Sequence, residues 1–231
     1  MQKLTFNSTE EWLVARRGKA TGSRAGDLVP GPRTKGHTAE FYKMMAERYA
    51  DPIPEDTNPR EWGHQVEPFA LLRFMEETGK RIEFGKIMWV SDDNPLLAIS
   101  PDGPIADVKD TEAVEVKSFY PENHLKVLLD NKIPDTYREQ ALWYFVVNNK
   151  LKTLYFVAYC PLFYDEHMQM VVIEMHRKDI EEEVEQLKQS VLQEIAAMDT
   201  LVVDLATSRK KVDLITISNK KTCQKQKSKK K

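Results

Sequence analysis

The sequence predicts an α/β fold, a central mixed β-sheet flanked by helices, and three observations point there. Residues 82–90, 96–100, 113–119 and 154–160 are rich in β-branched and aromatic side chains, and Met170 to Met175 adds a fifth such run. Stretches with apolar residues three or four apart precede, interrupt and follow these runs. A 41% hydrophobic share over 231 residues is enough for one sizeable core, so one domain is expected.

Taken in order, Ser8-Thr9-Glu10-Glu11 reads as a capping box opening a short helix, with Trp12 and Leu13 facing inward and Gly18 closing it. That places Arg16 and Arg17 at its C-terminal end, where cations complement the helix dipole. Ser23 stands at the start of a second helix, whose backbone N–H groups favour anions, so the arginines and Ser23 also suit a phosphate. Residues 30–36, with Arg33 among them, are Pro- and Gly-rich and read as a loop. A helix from about Thr38 to Ala50 follows, with Phe41, Met44, Met45 and Tyr49 as core. A polar connection then leads to a helical stretch that carries Phe69, Leu72 and Met75 and ends at Gly79.

The first strands come next. Leu96 to Ser100 is an apolar run that stops in the turn Pro101-Asp102-Gly103, and a hairpin-like return would bring Asp102 beside Glu115. In Val114-Glu115-Val116-Lys117 the valines alternate with Glu and Lys, which therefore share a face and are expected to point away from the core. Tyr137 to Val147 is apolar nearly all round, as suits a helix buried on a sheet, and Trp143 belongs to its core side. His124 reads as a structural histidine. The last helix opens at Asp179 and carries one apolar stripe, Ile180, Val184, Leu187, Val191, Ile195 and Met198.

Two carboxylates, a strand carbonyl and an ammonium at one place suit a hard divalent cation meeting a phosphate. Asp102, Glu115 and the Val116 carbonyl are the candidate ligands of Mg²⁺, with Mn²⁺ able to substitute, and Lys117 is the candidate catalytic group. Lys117 could orient or deprotonate the attacking water, or stabilise charge on the phosphoryl oxygens. Carboxylates favour its charged form and a metal the neutral one, so its pKa can move either way.

Further residues turn this pattern into a resemblance. Gly63 and Glu67 make GxxxE, Pro101-Asp102-Gly103 the PDG element, Glu115-Val116-Lys117 the ExK element, and Tyr137 with Gln140 the YxxQ element. In this order they resemble the phage lambda exonuclease family, from about Glu11 to about Met198. The resemblance implies a restriction-endonuclease-like core and a 5′ to 3′ exonuclease that degrades one strand of linear duplex DNA to 5′ mononucleotides. It implies that Glu67 supports a second metal position, that Gln140 completes the catalytic set, that Arg16 and Ser23 grip the 5′ phosphate, and that Arg33 touches DNA. It also implies a homotrimer, double-stranded DNA ends as substrate and a single-strand annealing recombinase as partner. Pro68 directly after Glu67 departs from a smooth helix, so either the helix starts near Glu67 or it bends there. A structure-specific endonuclease on the same core and a non-catalytic DNA-binding protein are the alternatives.

Composition bounds the rest. No stretch approaches the ~20 apolar residues of a membrane span, and the first residues lack a signal-peptide core, so a cytoplasmic location is expected, the host's if the chain is phage-encoded. Cys160 and Cys223 lie in unlike surroundings, which argues against a disulfide, and two cysteines cannot hold a four-cysteine iron–sulfur cluster. Residues Lys220 to Lys231 hold seven lysines and no acid, which leaves 27 basic against 36 acidic groups in the 219 residues before them. A body this acidic meets DNA only through clustered basic residues. The division is drawn as a nuclease domain over 1–205 and a basic, disordered tail over 206–231, either a nucleic-acid tether or a solubilising end.

Overall fold

The computed structural model describes residues 1–32, 34, 36–41, 44, 47, 60–119 and 121–208. Strand β1 (Gln2–Phe6) leads to α1 (Thr9–Arg16) and α2 (Gly22–Leu28), then α3 (Arg60–Thr78). Strands β2 (Lys86–Val90), β3 (Ala98–Ile99), β4 (Gly103–Pro104) and β5 (Glu112–Ser118) follow, then α4 (Pro121–Asp130) and α5 (Asp135–Val147). The chain continues through β6 (Thr153–Tyr159), β7 (Met170–His176) and α6 (Glu181–Ser208).

A three-stranded antiparallel sheet has the order β1-β2-β3, and a four-stranded mixed sheet the order β4-β5-β6-β7. Within the second, only β5 and β6 run parallel, with Glu115 opposite Phe156 and Lys117 opposite Ala158, and α4 and α5 form the crossover between them. A parallel pair with helices in its crossover is covered on both faces. One face of β5 and β6 packs Ala113, Phe119, Leu154 and Phe156 against α5 and α6, and the other packs Val114, Val116, Tyr155 and Val157 against Val66, Ala70 and Phe74 of α3.

Local signals explain most element ends. Ser8 Oγ accepts the Glu11 N–H at 3.1 Å and the Glu11 carboxylate accepts the Asn7 N–H at 3.1 Å, a capping box displaced by one residue. Gly79, at φ 69°, closes α3 by returning its N–H to the Met75 carbonyl at 2.9 Å. The predicted stripe of α6 is buried throughout, as is Trp143, whose indole N–H reaches the Ala98 carbonyl at 3.0 Å. His124 is fully buried and bonded through Nε2 to the Met168 carbonyl at 2.9 Å, which fits its structural reading. Of the expected helix over 38–50, residues 39–41, 44 and 47 are helical and Phe41 and Met44 are buried, while Met45 and Tyr49 lie outside the described residues.

Other expectations need correction. Leu13 is half exposed rather than inward-facing, because α1 is two turns long and rests on the protein through Trp12. The core stripe of α3 is Val66, Ala70 and Phe74, while Phe69 and Leu72 are exposed. Strand β1, not foreseen, pairs with β2 along its whole length from Gln2 opposite Val90 to Phe6 opposite Lys86. The strand expected from Ile82 starts at Lys86, after Gly85 at φ 148° turns the chain. Helix α6 continues to Ser208, so a division at residue 205 falls inside it. Among the described residues no helix is long and apolar enough to cross a membrane.

One polar latch secures the end of the sheet where β5 begins. Lys80 Nζ donates to Glu112 Oε2 at 2.7 Å, the Tyr155 hydroxyl donates to the same oxygen at 3.0 Å, and the ammonium lies 4.9 Å from the Tyr155 ring centroid. The hydrogen bond to Glu112, with Tyr155 adding, pushes the Lys80 pKa up to about 12. A folded pKa above the unfolded lysine value of about 10.4 means a contribution fully present below that value and lost as pH rises through about 12. Lys80→Met is therefore expected to lower Tm by about 2–4 °C at pH 9, as about 1 kcal/mol would. Denaturation of both proteins between pH 9 and 11.5 should show the gap narrowing, and a gap constant with pH would refute the latch.

Candidate active site

The end of β5 gathers most of the predicted residues, and sequence dictates how. Pairing of Gly103 with Val114 and Pro104 with Ala113 sets Asp102 beside Glu115, as the predicted return requires. Gly103 is closely packed, since a Cβ there would lie 3.0 Å from the Ile82 side chain and 3.2 Å from that of Leu71, so either would have to give by a few tenths of an ångström. Asp102 Oδ2 then accepts the Val116 N–H at 2.7 Å, which fixes the carboxylate at the strand end.

Glu115 is 2% exposed. Lys117 Nζ and Gln140 Nε2 both donate to its Oε1, and the Tyr144 hydroxyl donates to its Oε2. Glu115 and Lys117 do share a face, but that face also carries buried Ala113 and Phe119 and lies under α5. They point into a packed interface rather than away from the core. The buried carboxylate is compensated by three donors, two of them from α5, as a buried charge requires.

The electrostatics bind the groups together. Burial first, then the Glu115 and Glu67 carboxylates, hold Asp102 well above the usual aspartate pKa. Glu67 is likewise raised, chiefly by burial with Glu115 adding, although His64, with Nδ1 at 3.8 Å, opposes the shift. Burial works against the charge on Lys117, yet Glu115 and Asp102 outweigh it and hold the ammonium above the ordinary lysine value. Glu67 sits within α3, which starts at Arg60 and runs past Pro68, so a helix start near Glu67 is ruled out.

Arg16 ends α1 with Nη2 3.5 Å from Thr21 Oγ1 and 3.4 Å from Ser23 Oγ. Its guanidinium lies 4.4 Å from the Trp12 ring centroid, and the Trp12 indole N–H donates to Ser100 Oγ at 2.9 Å. Burial lowers the Arg16 pKa, while Glu115 and Asp102 raise it, so the cation feels the carboxylates directly. The α2 backbone is pressed into this corner: a Cβ on Gly22 would lie 2.5 Å from Ile99 and 3.3 Å from Gln140. Gly22 thereby lets α2 come close to Gln140. Arg17, by contrast, reaches the Glu47 carbonyl at 3.5 Å. Arg33 lies outside the described residues.

Sequence reasoning missed Tyr144, Trp12 and Ser100 as parts of this constellation. A signal for the first existed, since Tyr137, Gln140 and Tyr144 are spaced three and four apart and so line one helix face.

The donor set of Asp102, Glu115, Glu67 and the Val116 carbonyl is all oxygen and fits a hard divalent cation. Burial is the first cause of the raised Asp102 and Glu67 pKa values and the Glu115 carboxylate adds to both, so a cation placed among these oxygens would favour their charged forms. Among the described residues no three His, Cys, Asp or Glu side chains are already gathered to hold an ion. Glu115 has both oxygens occupied, so Oε1 would have to exchange its Lys117 bond for an ion.

A family model described as the YqaJ-like viral recombinase domain matches residues 11–151. The structure of an alkaline exonuclease (LHK-Exo) from Laribacter hongkongensis superposes with a TM-score of 0.68 at 24% identity, covering 87% of this chain and all of that one. Its complex with dAMP aligns with the same figures. A phage related exonuclease from Haemophilus somnus 129PT gives 0.55 at 12% identity, covering 81% of this chain and 96% of that one. At these identities the likeness is one of fold. No curated protein matches the sequence.

Proposed function

Because the chain belongs to the YqaJ-like viral recombinase domain family, we propose that it is a Mg²⁺-dependent exonuclease acting on linear double-stranded DNA. It degrades one strand from the 5′ end to 5′ mononucleotides and leaves a 3′ overhang for a single-strand annealing partner. One observation carries this reading: Asp102, Glu115 and Lys117 converge at the end of β5, and Arg16 lies close enough to feel both carboxylates. A cation that can hold a terminal phosphate beside a metal-binding corner suits cleavage at an end rather than within a strand. The exonucleases of the same fold, one of them held with dAMP, support it.

Asp102, Glu115, Glu67 and the Val116 carbonyl would hold the ion, which lowers the pKa of water and offsets charge on the leaving 3′ oxygen. The protein's own groups do the remaining work. Arg16 and Ser23 clamp the 5′ phosphate, which sets the scissile bond one nucleotide inward. Gln140 and Tyr144 fix the carboxylate of Glu115. Lys117, held as an ammonium, donates to the phosphoryl oxygens as charge develops.

The chain is further proposed to form a homotrimer that encircles duplex, since its acidic body holds DNA poorly as a single copy. Incubation with Mg²⁺ should consume 5′-phosphorylated linear duplex and spare covalently closed circles. Light scattering on the same preparation should give about three times 26.8 kDa. Cleavage of the circle would favour an endonuclease, a monomer mass would end the trimer, and inertness on both substrates would end the enzymatic reading.

A further inference from the structure

The first turn of α5 carries a ring that the site described so far leaves without a role. Tyr137 lies with its ring centroid 5.4 Å from Lys117 Nζ, inside the range in which an aromatic face attracts an ammonium. The ring is itself held in place, edge-on to Phe119 with centroids 5.7 Å apart and tilted against Phe156 at 6.1 Å. Both neighbours belong to the buried cluster under α5, so the ring's position is set by the core. Its hydroxyl makes no hydrogen bond to any described residue.

Helix α5 thus meets β5 at three successive points. Tyr144 and Gln140 occupy Glu115, and Tyr137, one turn earlier, meets the side chain two residues further along the strand. The match follows from geometry: residues three and four apart on a helix climb about 5 Å, and residues two apart on a strand about 6.6 Å. Lys117 has four rotatable side-chain bonds, and a flexible ammonium must be confined if it is to meet one phosphoryl oxygen. Glu115 confines it from one side, but that carboxylate is also wanted by an ion.

We propose that Tyr137 is a positioning residue for Lys117: its ring face holds the ammonium at the end of β5, whether or not Glu115 keeps its own bond to it. This rests on the nuclease reading for its consequence in catalysis and on the ring contact alone for its structural part. The role belongs to the ring and not to the hydroxyl, which separates Tyr137 from Gln140 and Tyr144.

The test is a graded series at one position, Tyr137→Phe, Tyr137→Trp and Tyr137→Leu, at a temperature below the lowest Tm among them. With 5′-phosphorylated linear duplex and Mg²⁺, the Phe and Trp variants should keep kcat within about twofold. The Leu variant should lose about tenfold in kcat with KM little changed, as loss of a partly buried cation–π contact would give. A second readout needs no DNA: competitive labelling with an amine-reactive reagent, read by mass spectrometry. Lys117 should label several-fold faster in the Leu variant than in wild type, and at the wild-type rate in the Phe variant, with other lysines as internal standards. Unchanged Lys117 labelling in Tyr137→Leu overturns the positioning role, as does a loss in Tyr137→Phe equal to that in Tyr137→Leu. If labelling responds as expected but the wild type cleaves no DNA, the positioning stands and the nuclease reading falls.

Discussion

Lys117→Ala is expected to reduce single-turnover hydrolysis of 5′-phosphorylated duplex by about 10³-fold, the loss typical of one well-placed donor or acid–base group, while duplex affinity changes less than about threefold. The asymmetry follows from where the ammonium sits. Lys117 Nζ is tied to Glu115 on β5, so on the proposed reading it would meet the scissile phosphate and offer little to the rest of the duplex. Removing it leaves Glu115 with Gln140 on one oxygen and Tyr144 on the other, so the buried carboxylate keeps two donors and the fold should survive. Anisotropy of labelled DNA in Ca²⁺ gives affinity without turnover, and rapid quench in Mg²⁺ gives the rate. A rate within tenfold of wild type would remove Lys117 from the chemistry and leave the ExK strand as a structural buried pair.

Much of this site was legible in the chain because its elements are local. A turn after an apolar run, then an alternating strand, is enough to set Asp102 beside Glu115 and to put Glu115 and Lys117 on one side. Alternation says which residues share a face, but not what covers that face. The cover is α5, whose apolar residues run nearly all round, so only the three- and four-residue spacing of Tyr137, Gln140 and Tyr144 marks the side that meets the strand. Tyr144 was not singled out on that spacing, although its hydroxyl closes the Glu115 shell. Strand β1 was also not foreseen: it is five residues long with none fully buried, and its pairing with β2 identifies it. Helix α3 shows the converse. Phe69 and Leu72 are exposed while Val66, Ala70, Leu71 and Phe74 are buried with Val114 and Val116, so hydrophobicity alone does not say which face of α3 packs. Pro68 does not end the helix, as α3 runs from Arg60 to Thr78.

Arg16→Ala should abolish most of the preference for 5′-phosphorylated over 5′-hydroxyl duplex ends, a preference expected to be about 10²-fold in kcat/KM. A guanidinium presents two parallel N–H donors to phosphate, and a terminal hydroxyl offers nothing to fill them. The surroundings of Arg16 suit that use as well as the dipole of α1. The Trp12 ring supports one face of Arg16, Ser100 pins the indole, and Ser23 and Thr21 stand 3.4 and 3.5 Å from Nη2 as further polar contacts. Burial that lowers the Arg16 pKa also strengthens what the charge can do for a bound anion, because less water screens it. The bland role predicts differently: Arg16 is the last residue of α1, and a cation there stabilises the helix by ~0.3–1 kcal/mol whatever the DNA end carries. Phosphorylated and hydroxyl duplexes are therefore compared on wild type, Arg16→Ala and Arg16→Lys. The phosphate preference should fall to within about threefold in the alanine variant. Lysine should restore charge but only part of the preference, since a point charge lacks the fork. If the ratio between the two substrates is the same in all three proteins and only Tm moves, Arg16 serves the helix dipole and the 5′ phosphate is held elsewhere.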